Sequence, residues 1–366
     1  MVNKSIEFHH TPTPFRSLYS VVENEWIVYP PLSNGTIPLY TFGSVLAEGT
    51  YGRIYHVKRE TASNVKVLNS TVETLTRSGP IRNIVIKESS DTVHEAILHA
   101  IVHKLFKTIG LGSVIPELYE ACIRKVNYTT SFLLAMEWIQ GSTLLRFFHI
   151  YLTKIINASK LQTLPTSLEI ARKRNDELLL DILVQTAMYL HIMQTKLKFN
   201  HRDLKLNNVL IRHTSSRSRS ILRRIDHPLL SKPWDCKYDL VIIDFGFSCI
   251  ACESKKSKFE AGNFFKPDYH CMKEGRDLAL LLYSIHAFFP LDQYLSPTFW
   301  TFLQSCMIAN QGTKQYQLLE GVQQDGTPGP PVQLNEGVYK FLRETSTEIP
   351  GCVPAKFLDS IKFFLV

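Results

Sequence analysis

Residues 199 to 211 read FNHRDLKLNNVLI, and residues 240 to 248 read LVIIDFGFS. The first run sets His201, Arg202, Asp203, Lys205, Asn207 and Asn208 between two apolar stretches, LLLDILVQTAMYLHIM before it and VLI after it. A solvated loop explains polar residues, but not polar residues hemmed in on both sides; these groups are held at the edge of a core. The second run is an apolar strand ending in Asp244, where Gly246 permits the sharp turn that aims the carboxylate. Asn208 and Asp244 supply hard oxygen ligands for magnesium. Asp203 faces an incoming hydroxyl, and Lys205 offsets charge on a transferring phosphoryl group. Such a reaction asks for little covalent work from the enzyme but needs this positioning and charge compensation.

The elements that must position these groups change character along the chain. From Leu39 to Ile86, short β-branched and aromatic runs separated by Gly-containing or polar turns read as strands. Residues 92 to 106 space their apolar side chains as a helix does, and SFLLAMEWI at 131 to 139 reads as a buried strand. Beyond Gly141 the pattern predicts helices over 142–154, 175–196, 277–289 and 297–309. The expected fold is therefore α+β and bilobal, with an N-terminal extension (1–38), a small β-rich lobe (39–138) and a larger, mainly helical lobe (139–366). Residues 61–80, 155–174 and 212–238 interrupt this plan and read as insertions, the last exposed in at least its first half. No internal repeat is visible. After the turn-rich DGTPGPP at 325 to 331, the apolar KFLDSIKFFLV is expected to pack on the larger lobe.

Composition sets outer bounds. The 366 residues, 45% hydrophobic and 20% charged, suit a globular protein with a sizeable core rather than a disordered or fibrous one. The net charge of +8 favours anionic ligands without selecting among them. The N-terminus has no apolar run of signal-peptide length, and LALLLYSIHAFF at 278 to 289 is too short to span a bilayer, so an intracellular, cytoplasmic protein with no membrane partner is expected. Seven cysteines, odd and sparse, fit free thiols.

HRDLKLNN and DFG, in this order and with other motifs upstream, resemble the catalytic loop and magnesium-binding turn of eukaryotic-type protein kinases. LAEGTYGRIY at 46 to 55 resembles the glycine-rich loop, IVIK at 84 to 87 the strand lysine, and AMEWIQGSTL at 135 to 144 the hinge. The likeness covers residues 39 to 290 and implies Mg-ATP as cofactor. It implies that Ala47, Gly49 and Gly52 lie over the phosphates, with Tyr51 at the loop tip, and that Ile54, Val85 and Leu210 pack on the base. Lys87 then holds the phosphates and pairs with Glu95; Met136 is the gatekeeper, and the backbone of Glu137 and Trp138 bonds the adenine edge. Asp203 and Lys205 act at the transferred group, Asn208 and Asp244 take the metal, and Asp277 braces the catalytic loop from below. Lys205 is similar to the serine/threonine form of the loop, which implies a protein substrate.

Departures from that pattern matter too. Ala47 replaces a glycine, Val85 stands where alanine is usual, Glu95 follows Lys87 by only eight residues, and His99 occupies an apolar position. No APE follows DFG, a mixture of intact core and missing platform similar to divergent kinases of large DNA viruses. Two other readings stay open: a pseudokinase scaffold, and a kinase of a small molecule or lipid. Arg212, Arg217, Arg219, Arg223 and Arg224 either attract an acidic protein or nucleic acid, or form a solvated loop. Cys249, Cys252, His270 and Cys271 have spacing compatible with zinc, though free thiols explain them as well.

Overall fold

The computed structural model describes residues 19–22, 25–28, 36–49, 52–68, 71–89, 93–126, 129–161, 165–213, 223–250, 259–260, 273–311, 314–319, 342 and 348–364. The chain divides into two compact units, one comprising Met1–Thr108 with Pro116–Trp138, the other Ile109–Ile115 with Ile139–Val366. The first is β-rich and the second mainly helical, which gives the mixed α+β, kinase-like order that the sequence predicts.

The first unit is a seven-stranded antiparallel sheet in the order β1-β2-β3-β4-β5-β7-β6. Its strands are β1 (Tyr19–Val22), β2 (Glu25–Val28), β3 (Ile37–Gly49), β4 (Gly52–Leu68), β5 (Thr71–Ser89), β6 (Leu118–Val126) and β7 (Thr129–Glu137). Tyr40, Val57, Ile84, Ile86, Leu133 and Ala135 form its core. Helix α1 (Val93–Thr108) buries Leu98, Val102 and Phe106, residues four apart that share one face. Two expectations change here. β1 and β2 lie within the stretch read as an extension and add to the sheet through Trp26 opposite Tyr40 and Ile27 opposite Leu39. Residues 61–80 do not interrupt the strands; they prolong β4 and β5 into one hairpin with three register shifts. Their Thr and Val residues suit a pleated strand, although their polar composition reads as a loop.

In the second unit, β8 (Gly141–Thr143) precedes α2 (Leu144–Leu161) and α3 (Pro165–Leu197). Both helices reach into 155–174, so most of that stretch is helical; Pro165 opens α3, where a missing N–H costs nothing. Asp181 to Leu190 of α3 are all buried, as expected of a helix packed on every side. Next come β9 (Phe199–Asn200), β10 (Val209–Arg212), β11 (Arg223–Ile225), β12 (Trp234–Cys236), β13 (Leu240–Ile242), β14 (Cys249–Ile250) and β15 (Phe259–Glu260). Helices α4 (Arg276–Phe288), α5 (Leu291–Tyr294) and α6 (Pro297–Cys306) follow, then the hairpin β16 (Ile308–Gln311) and β17 (Lys314–Gln317), and α7 (Pro354–Ser360). Helix α6 stops short of the expected 309 because β16 begins at Ile308. Phe357, Leu358 and Ile361 are buried, and α7 packs against α3.

The described part of 212–238 is tied down. β11 and β12 form a ribbon, and Asp181 of α3 accepts from Trp234 Nε1 at 2.7 Å, Lys237 N at 3.0 Å and Tyr238 N at 3.2 Å. Residues 214–222 lie outside the described residues. Cys236, Cys306 and Cys352 are free and buried, but Cys249 is disulfide-bonded, against the expectation of free thiols. Among the described residues no helix is long and apolar enough to cross a membrane.

Candidate active site

In the first unit Lys87 lies on β5, opposite Ile54 of β4 and Leu134 of β7. Only three residues separate the end of β5 from α1, so Glu95 falls in the first helical turn and the short spacing suffices. Lys87 Nζ stands 2.9 Å from both Glu95 carboxylate oxygens, and both side chains are buried. A buried pair needs such bidentate geometry, because the attraction must offset the loss of water around two charges. His99, one turn further along α1, bonds the Pro116 carbonyl through Nε2 at 2.6 Å. Burial pushes its pKa down to about 4, with the nearby His103 and Lys87 charges acting in the same direction. It is therefore a neutral strut and adds no charge beside Lys87.

Gly49 and Gly52 pair across the β3–β4 turn; Tyr51 lies outside the described residues. Gly52 has φ of +136°, and a Cβ there would sit 1.9 Å from the Glu88 carbonyl oxygen, so the close approach of β4 to β5 admits only glycine. Ala47 is opposite Ile54, and Val85 opposite His56 and Met136. The Glu137 N–H donates to the Glu117 carbonyl at 2.8 Å, so that amide is already committed inside the unit. The Trp138 ring packs on His56, with centroids 4.6 Å apart.

In the second unit the catalytic-loop residues are held from below by Asp277, the second residue of α4. Its carboxylate accepts from Asn200 Nδ2 at 3.0 Å, His201 N at 2.8 Å and Arg202 N at 2.8 Å, all buried. Arg202 and Asp244 both take a left-handed backbone conformation, φ +65° and +67°, which costs energy for residues with side chains and which the surrounding bonds enforce. Asp203 Oδ2 receives Lys205 Nζ at 2.8 Å and Asn208 Nδ2 at 3.1 Å. Asn208 Nδ2 also bonds the Asp203 carbonyl. The Asn208 carbonyl in turn accepts from Ile243 N at 3.0 Å, which ties the loop to the residue before Asp244. His201 Nε2 bonds the Ile243 carbonyl at 3.0 Å; burial lowers its pKa, so the ring is neutral and Nε2 donates. Phe245 is buried against Phe199 and His201. Leu210 lies on β10, opposite Thr143 and Val241.

The donor set fits a hard divalent cation. With Nδ2 of Asn208 turned to Asp203, Oδ1 is the oxygen a cation would take, and Asp244 adds a half-buried carboxylate at the end of the adjoining strand. Sequence reasoning missed Asn200, which bridges Asp277 and Lys273 N. It also missed Ser284, whose Oγ accepts from Leu206 N at 3.2 Å. Asn200 had a visible signal, a polar residue closing an apolar run; Ser284 had none. Of the zinc-compatible set, Cys252, His270 and Cys271 lie outside the described residues. Among the described residues no group of three or more His, Cys, Asp or Glu is arranged to hold a metal. Arg212 and Arg223 pair with Asp239 at 3.3 and 2.5 Å, and Arg224 with Asp235 at 2.7 Å. Arg217 and Arg219 lie outside the described residues.

A β-rich unit with a buried Lys–Glu pair, followed by a helical unit with a braced HRD loop and a DFG turn, is similar to proteins of the eukaryotic protein kinase-like superfamily. Residues 126–268, less than half of the chain, match the family described as Haspin like kinase domain. No curated protein matches the chain.

Proposed function

We propose that the chain is an ATP-dependent serine/threonine protein kinase that transfers the γ-phosphoryl group to a protein hydroxyl. The observation that carries this reading is the joint presence of the buried Lys87–Glu95 pair and of the Asp203–Lys205–Asn208 cluster, in which Asp203 and Asn208 are buried and Lys205 is half-buried, each internally bonded in the way phosphoryl transfer uses. Asn208 and Asp244 would hold magnesium, which supplies charge neutralisation on the phosphates when bound. Lys87, oriented by Glu95, neutralises the phosphates, while the Gly49–Gly52 turn lets backbone approach them. Asp203 accepts the hydrogen bond of the acceptor hydroxyl and orients its oxygen for attack. Lys205 lies within reach of the same carboxylate and stabilises the charge that builds on the transferred group. Lys205 supports serine or threonine as acceptor.

The test is incubation of the full chain with γ-labelled ATP, magnesium and a protein mixture, then acid hydrolysis of the labelled products. The expected label is on phosphoserine or phosphothreonine. Label only on phosphotyrosine, on a small molecule or lipid, or on nothing would overturn the reading; the last outcome would favour a scaffold.

A further inference from the structure

Between α1 and β6 the chain makes one 3-10 turn, Gly112–Val114, that belongs to the second unit. Val114 and Ile115 are fully buried and anchor it, with Val114 N donating to the Leu111 carbonyl at 3.0 Å. Ser113, inside the same turn, is exposed. Two arginines converge on it. Arg223 Nη2 donates to Ser113 Oγ, and Arg212 Nη2 donates to the Ser113 carbonyl at 3.3 Å. The Ser113 oxygen is the acceptor in the first of these bonds, which leaves its own O–H to solvent.

Both guanidinium groups are held from behind. Arg212 closes β10, where its N–H donates to the Asp239 carbonyl at 2.9 Å. Arg223 opens β11, and its Nη1 donates to the hydroxyl of the buried Tyr189 at 3.3 Å. The Asp239 carboxylate pairs with both, at 3.3 Å from Arg212 and 2.5 Å from Arg223, so one negative charge stands against two positive ones. A neutral, exposed serine draws little from two preset guanidinium groups. A phosphate on the same oxygen would bring three acceptor oxygens and a charge of about −2 to them, the ligand for which such a fork is suited.

We propose that Ser113 is a phosphorylation site and that Arg212 and Arg223 receive its phosphate, strapping the turn after α1 onto β10 and β11. The transfer forms a bond from Ser113 Oγ to the γ-phosphorus of ATP, breaks the bond from that phosphorus to the β,γ-bridging oxygen, and releases ADP and the hydroxyl proton. The site does not depend on which kinase fills it, so its two halves are tested separately. For the pocket, the full chain is produced with phosphoserine encoded at position 113, and the phosphate is titrated by phosphorus NMR in the folded chain and in urea. Its second pKa, about 6 in an unfolded chain, is expected to fall by about one unit on folding, a tenfold preference for the dianion. Arg212→Gln and Arg223→Gln should each return about half of that shift, whereas a purely structural role would move the thermal midpoint and not this titration. Should Arg223→Gln fail to fold, Arg212→Gln and Arg223→Lys carry the same comparison. Equal titration in the folded chain and in urea would overturn the proposal. For occupancy, phosphatase-treated wild type and Asp203→Asn are incubated with magnesium-ATP, with and without a cell extract, and mapped by mass spectrometry. Phosphate on Ser113 of the wild type but not of Asp203→Asn, without extract, assigns the transfer to this chain; phosphate on both, with extract only, assigns it to another kinase. Ser113 unmodified in every arm would overturn the proposal.

Discussion

The two units hold their reactive groups by different means. In the first, a strand lysine and a helix glutamate hold each other: Lys87 and Glu95 are joined side chain to side chain, with Nζ 2.9 Å from both carboxylate oxygens. In the second, Asp277 clamps the backbone of the catalytic loop at His201 and Arg202, and the reactive Asp203 follows from the path that clamp imposes. An ion pair sets the direction of one charge and breaks when either partner is lost. A carboxylate that fixes main-chain N–H groups sets the course of several residues at once, and its loss should spread further.

That contrast ranks the expected effects. Asp277→Ala leaves two buried backbone N–H groups and the Asn200 amide without their acceptor, at about 1–3 kcal/mol each. We expect a loss of about 3–6 kcal/mol in denaturant unfolding of the second unit, with transfer abolished. Glu95→Ala leaves Lys87 buried without this partner and should cost about 3–5 kcal/mol. The double change Lys87→Met with Glu95→Leu should recover most of that stability but no transfer, which separates the pair's structural role from its chemical one. If the double variant is as unstable as the single, packing rather than charge dominates there.

The third expectation concerns pH. The folded-state pKa of His99 lies below the usual 6.5, so below pH 6.5 the unfolded chain takes up a proton that the folded chain refuses. The stabilisation is complete above pH 6.5 and is lost as pH falls to about 4, amounting to about 3 kcal/mol for this buried ring. His227 shifts to about 4 as well, by burial and by the adjacent His191, so acid should weaken both units. Unfolding curves of wild type and His99→Leu between pH 7 and 4 check this: the variant should lose less stability over the same range. The smallest effect is expected for Arg224→Ala, whose ion pair with Asp235 is exposed; its denaturation midpoint should stay unchanged.

How much of this was legible depended on distance along the chain. The groups of the second unit's loop lie within eight residues, and their polarity against an apolar background marks them, as does Asp244 at the end of its strand. The order of a β-rich half and a helical half showed in the change of period. What did not show are groups whose partners are remote: Asp181 reads as one acid in an apolar helix until Trp234, Lys237 and Tyr238 fold back on it. His99 reads as a misplaced polar residue until Pro116 supplies its carbonyl. The β4–β5 arm and the polar ends of α2 and α3 were missed for another reason. Their sequences carry no sustained apolar period, so backbone propensity alone marked them, and their polar composition reads as loop.

The account's central claim is that Asp203 serves the acceptor hydroxyl while Asn208 and Asp244 serve the metal. Calorimetric titration with magnesium-ATP, paired with γ-label transfer, measures this for Asp203→Asn beside the wild type and Asp244→Asn. The account predicts that Asp203→Asn binds magnesium-ATP as the wild type does and loses transfer by about 100-fold or more, while Asp244→Asn loses magnesium-dependent binding as well. Undiminished transfer by Asp203→Asn would contradict it.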